Sequence, residues 1–165
     1  MEPAVKPAAL TTKSGVIGIL ATEQTFKGGL YQGTVAKYAD RAEIIEAVGE
    51  GFVELVEAHR EGTPEALEAV RRVVEPMVAA GADRIVLGCT HYPFLAEAIR
   101  QVAGEGVTLV DPAPAVVRRV SILLAEREAA AAEDHKPDDD FFTNAGEFYR
   151  AGIVAKSVQA LELDL

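Results

Sequence analysis

Hydrophobic positions along this chain fall into two kinds of run. The first kind is short and continuous. Gly15-Val-Ile-Gly-Ile-Leu-Ala-Thr22 and Arg84-Ile-Val-Leu-Gly-Cys89 are apolar stretches bounded by polar or turn-forming residues, the pattern of a strand covered on both faces. Ala42 to Val48, Val107 to Asp111 and a brief stretch from Phe141 to Thr143 read as further strands. The second kind recurs every three or four residues. Ala66, Leu67, Val70, Val73, Val74, Met77 and Val78 follow Thr63-Pro64-Glu65, where a hydroxyl caps the helix start and proline takes its first position. Gly81 ends that helix, and Pro76 inside it predicts a kink or break near Glu75. Helices are also predicted over Lys27 to Tyr38, Glu50 to Arg60, Pro93 to Val102, Ala113 to Ala132 and Gly146 to Leu161. Glu2 to Pro7, with prolines at 3 and 7, reads as an extended lead-in. Glu133 to Asp140 reads as a charged linker. Strands alternate with helices throughout, which predicts an α/β fold with a mostly parallel sheet. No internal repeat of fixed short period is present.

Composition narrows the function classes. The 165 residues suit one compact domain, or one domain with part of another, and 49% apolar content supports a real core. A formal net charge of −10 disfavours nucleic acid as a partner, because a binder normally presents a basic face. It also means that an anionic substrate must be held by local donors rather than by the global field. No apolar run approaches the ~18 residues that a membrane span needs. No basic region followed by an apolar stretch opens the chain. With one cysteine, an intramolecular disulfide is impossible, and a reducing cytoplasm is the expected location.

Chemistry concentrates at the ends of the predicted strands, where open α/β sheets bind ligands. Cys89 follows a strand and precedes Thr90, His91 and a helix opening near Pro93. Unpaired N–H groups at that corner and the Thr90 hydroxyl suit a carboxylate, and His91 can give or take a proton. A lone cysteine more often packs as a small hydrophobe, but the run Gly88-Cys-Thr-His-Tyr-Pro93 at a strand-to-helix corner reverses that preference. Glu57, on a predicted helix near a strand end, is by itself more often a solvated glutamate. Thr22 and Thr25 after the first strand either bind substrate oxygens or cap the next helix. His59, His91, His135 and Cys89 lack the close spacing of a zinc site. Lys27-Gly-Gly29 lacks the ending of a phosphate-binding loop.

The run Leu87-Gly-Cys-Thr-His-Tyr-Pro-Phe94 closely resembles the second catalytic motif of glutamate racemases. Glu2 to Ala8 resembles the crossover between that family's lobes. Gly18 to Thr25 with Tyr31 resembles a first strand and substrate loop, Gly51 to Glu57 the segment carrying an acidic active-site residue, and Leu109 to Pro112 the return to the first lobe. The resemblance covers nearly the whole chain and weakens after Asp140. It implies a three-layer parallel-sheet lobe over residues 1–111 and, over 112–165, an orphan C-terminal part of the partner lobe. It implies cofactor-independent interconversion of L- and D-glutamate for peptidoglycan precursors, with Cys89 as one acid/base, His91 and Glu57 assisting, and Thr90, His91, Thr22 and Thr25 at the substrate. The family's Asp-Ser-Gly and Ala-Cys-Asn-Thr segments have no counterpart here, so the isolated chain is expected to be inactive until a missing N-terminal lobe supplies the opposing thiol. The implied partners are glutamate and either that lobe or a second copy, with no cofactor, metal, membrane or nucleic acid. An aspartate racemase, a one-cysteine lyase and a non-catalytic, partner-binding remnant are the alternatives.

Overall fold

The structure, a computed structural model, describes residues 1–131 and the strands at 140–143 and 157–160. The chain divides into two compact units, Met1–Leu123 and Leu124–Leu165. In the first unit, four parallel strands lie in the order β2-β1-β3-β4: β1 (Val16–Ala21), β2 (Glu43–Val48), β3 (Arg84–Leu87) and β4 (Thr108–Val110). β1 is buried along nearly its full length, as its continuous apolar run predicts. Its side chains alternate between two cores, because strand side chains point to opposite faces in turn. Ile17, Ile19 and Ala21 join Val86 of β3 and the helix α1 (Glu2–Thr11) on one face. Leu20 joins Ile85 and Leu87 against α4 (Phe52–Glu57), α5 (Pro64–Ala79) and α6 (Ala96–Ala103) on the other. The result is the parallel α/β sheet expected from the alternation of elements, in the three layers that the family resemblance implies.

α1 corrects the extended lead-in expected for Glu2 to Pro7. Pro3 falls in the first turn, where its missing N–H has no intrahelical partner in any case. Pro7 lies inside the helix and forfeits one bond, a cost of ~3 kcal/mol. Ala4, Val5, Ala8 and Ala9 are buried on one stripe of the same helix. A buried valine alone contributes ~1.5–3 kcal/mol, so tertiary burial outweighs the local penalty. The break expected near Glu75 is also absent, and α5 runs through Pro76. Only the bond to Arg72 is lost there, and Val70, Val74 and Met77 anchor the helix on both sides. The predicted ends of α5 hold. Thr63 Oγ1 accepts from Ala66 N–H, and Gly81, at φ +95°, closes the helix while Ala82 N–H reaches back to Met77 O.

Other boundaries shift. The helix predicted over Lys27 to Tyr38 starts at Gly29 as α3 (Gly29–Tyr38), and an unpredicted short helix, α2 (Glu23–Lys27), precedes it across an extended Gly28; paired glycines make this the least costly place for the chain to change direction. The helix predicted over Glu50 to Arg60 contracts to α4, and His59 ends it in the left-handed region at φ 53°. The helix predicted from Pro93 begins with a 3-10 turn, Tyr92–Leu95, that leads into α6. α7 (Ala113–Glu126) stops short of Ala132, where Glu128 adopts φ 53°. None of its residues is buried, and Val116, Val117 and Val120 are among its exposed apolar side chains. In the second unit β5 (Asp140–Thr143) pairs in parallel with β6 (Ser157–Ala160). β6 corrects part of the helix expected from Gly146 to Leu161, because Ser-Val-Gln-Ala fits a two-residue period and has a ladder partner. The rest of that helix and residues 133–139 of the expected linker lie outside the described residues.

Candidate functional site

The strand order places a reversal of winding between β1 and β3. From β1 the chain crosses to β2 on one side, and from β3 it crosses to β4 on the other. A crevice opens where such crossovers diverge, beyond the carboxyl ends of the strands. Leu20 is in register with Leu87, so Thr22 and Cys89 each stand two residues past matched positions on either side of that crevice. Gly88 holds the two ends together. Its N–H donates to Leu20 O at 2.7 Å, and a Cβ there would lie 2.9 Å from Ala21 Cβ and 3.0 Å from Leu20 O. Only glycine lets the chain leave β3 this close to β1.

Three side chains then meet in series. Cys89, half-buried, has its Sγ 3.8 Å from His91 Nδ1. His91 Nε2 lies 2.5 Å from Glu57 Oε1. An ionised carboxylate only accepts, so Nε2 carries the proton and donates to Glu57. Nδ1 is left with its lone pair toward the thiol. In that tautomer the imidazole can take the Cys89 proton while Glu57 stabilises the resulting charge. The histidine side chain is 29% exposed and the glutamate 63%, so the outer end of this series opens to solvent.

Thr22 and Thr25 sit at the same end of the sheet on the neighbouring strand. Thr22 Oγ1 caps α2 by accepting from Thr25 N–H at 3.4 Å, and the two hydroxyls are 2.9 Å apart. Capping is therefore observed, and both residues remain partly exposed. Thr90 is exposed on the turn between Cys89 and His91. The structure thus brings Cys89, His91 and Glu57 into contact, with Thr90 on the turn between Cys89 and His91 and with Thr22 and Thr25 paired to each other beyond the end of β1. Sequence reasoning missed Tyr92 and Gly49. Tyr92 is fully buried beneath the turn, and its hydroxyl donates to Gly49 O at 3.4 Å. Burial, and then the nearby Cys89 charge, push the Tyr92 phenol up to about 12, so it stays a donor at neutral pH. The available signals were an aromatic residue inside the cysteine motif and a glycine just past a strand. Among the described residues, no group of three or more His, Cys, Asp or Glu is placed to hold a metal. No helix among them is long and apolar enough to cross a membrane.

A family model described as Asp/Glu/Hydantoin racemase matches residues 1–120. A glutamate racemase from Herpetosiphon aurantiacus is 39% identical over 99% of this chain and 63% of its own length. The crystal structure of Escherichia coli glutamate racemase, in complex with L-glutamate and the activator UDP-MurNAc-Ala, is 32% identical with a TM-score of 0.75, covering 96% of this chain and 62% of that one. A glutamate racemase from Bacillus anthracis shares the fold at a TM-score of 0.81 and 24% identity, covering 98% and 63%. The chain therefore spans just under two thirds of the length of each of these proteins.

Proposed function

Because the chain belongs to the Asp/Glu/hydantoin racemase family, we propose that it forms one half of a glutamate racemase active site. The observation that supports this most is the Cys89–His91–Glu57 series at the reversal point of the sheet. In the proposed reaction, His91 holds the Cys89 proton and the thiolate removes the α-proton of bound glutamate. The electron pair left on carbon delocalises into the α-carboxylate. A proton delivered to the opposite face gives the other enantiomer, so atoms and charge balance with proton movement alone. Thr90, Thr22 and Thr25 line the crevice as donors to substrate oxygens, which the net charge of −10 makes necessary. Cytoplasmic supply of D-glutamate for peptidoglycan is the corresponding role.

Inversion needs two groups on opposite faces, and this chain has one thiol. We therefore propose that residues 112–165 belong to the lobe that carries the second thiol. That α7 buries none of its residues supports that reading. The test is circular dichroism of L- and D-glutamate incubated with the pure chain, alone and with a polypeptide corresponding to the other lobe. The chain alone is expected to leave each enantiomer unchanged, and the pair to interconvert them. Cys89→Ala should abolish interconversion, and Cys89→Ser should reduce it severely, because a hydroxyl is a far poorer base than a thiolate. Sustained racemisation by the chain alone, or a mild Cys89→Ser effect, would sink the proposal.

A further inference from the structure

Glu57 and His91 are 34 residues apart and both are partly exposed, so their contact requires a separate explanation. A solvent-exposed ion pair contributes only ~0–1 kcal/mol. That is too little to hold a helix end against a loop. Directly beneath lies a buried unit that can. Tyr92 and Phe52 are both fully buried, and their rings meet edge to face with centroids 5.3 Å apart. Phe52 begins α4, the helix that ends at Glu57, and Tyr92 is the residue after His91. Gly49 joins the two. Its carbonyl accepts from Phe52 N–H at 3.2 Å and from the Tyr92 hydroxyl at 3.4 Å. Its own N–H donates to Ala21 O at the end of β1. Tyr92 N–H closes the turn on Cys89 O at 3.2 Å. No side chain fits at Gly49, where a Cβ would stand 2.6 Å from the Tyr92 hydroxyl and 2.7 Å from Phe52 Cδ2.

We propose that Tyr92 is a positioning residue, which acts through Phe52 and Gly49 to hold Glu57 on His91 and His91 on Cys89. It touches no reacting atom. Its ring sets the spacing between α4 and the cysteine turn, and its hydroxyl ties that spacing to the ends of β1 and β2. The surface pair follows from this buried packing, which is the stronger term, since each aromatic ring buries ~150–250 Å2. The proposal deepens the functional reading and rests on it for the meaning of the site, but its test involves no glutamate.

The test uses the full chain. Nitrogen resonances of His91 report its tautomer and its bond to Glu57, and iodoacetamide alkylation followed by mass spectrometry reports the only thiol. Glu57→Gln sets the reference by removing the carboxylate directly. Tyr92→Leu is expected to move the His91 resonances toward those of Glu57→Gln and to slow alkylation about fivefold, the equivalent of one hydrogen bond. The double variant should show no further change. Tyr92→Phe, which keeps the ring, should give a smaller shift in the same direction. If Tyr92→Leu does not fold, Tyr92→Phe, which removes only the bond to Gly49 O and retains the ring, carries the test by its own shift. His91 resonances unchanged in these variants, with Glu57→Gln shifting them, would overturn the proposal, as would a Glu57→Gln that shifts nothing. Failure of the racemase reading would appear only in the glutamate assays.

Discussion

Replacing Gly88 with alanine tests the packing on which the site is built. The added Cβ would lie 2.8 Å from Met1 Cε, 2.9 Å from Ala21 Cβ and 3.0 Å from Leu20 O. Comfortable carbon contacts are ~3.5–4.0 Å, so something must move by roughly half an ångström or more. The methionine end can swing aside. Ala21 and Leu20 cannot, because both belong to β1, which is hydrogen-bonded to β2 and β3. The turn itself must retreat, stretching the 2.7 Å bond from Gly88 N–H to Leu20 O. Overpacking of this kind costs about 1–3 kcal/mol, and weakening the bond adds up to ~1 kcal/mol. Gly88→Ala should therefore lose about 2–3 kcal/mol of stability and change the alkylation rate of Cys89, the next residue. The chain has no tryptophan, so urea unfolding is best followed by far-ultraviolet circular dichroism. A variant within ~0.5 kcal/mol of wild type, with unaltered alkylation, would refute the claim that the cysteine turn is pressed against β1.

Pro7→Ala should stabilise the chain by about 1–2 kcal/mol, because it restores a donor inside α1 while giving back part of the unfolded-state restriction that proline supplies; an equal loss of stability would show that residue 7 is not helical. Asp83 accepts from Thr12 Oγ1 at 2.6 Å and Lys13 N–H at 2.7 Å, clamping the α1–β1 turn to the start of β3. Burial alone would raise its carboxyl, but these bonds, one from Ser14 N–H and the Arg84 charge outweigh it, holding it below the usual aspartate range. A lowered folded value means that the stabilisation is present above the unfolded value of ~3.9 and disappears as pH falls through the folded one. Asp83→Asn should therefore lower stability at neutral pH and flatten the acid limb of the stability curve, and an unchanged acid limb in urea titrations from pH 7 to pH 3 would contradict the clamp.

Local pattern made much of this protein legible from its sequence alone. Continuous apolar runs marked β1 and β3 as strands covered on both faces, since only two flanking layers give every position an apolar neighbour. Thr63 and Gly81 marked the ends of α5, because capping and left-handed closure depend on a few adjacent residues. The Gly88–Pro93 run located the cysteine corner for the same reason. Tertiary structure decided what local preference could not. Pro7 and Pro76 are helical because buried stripes outweigh a lost hydrogen bond, and Ser157–Ala160 is a strand because a partner strand lies beside it. The meeting of Glu57 with His91 depends on the winding of two crossovers about β1 and on Tyr92, Phe52 and Gly49 filling the space between them. Periodicity records which face of an element is apolar. Which distant element covers that face, and at what spacing, is settled only when the layers pack.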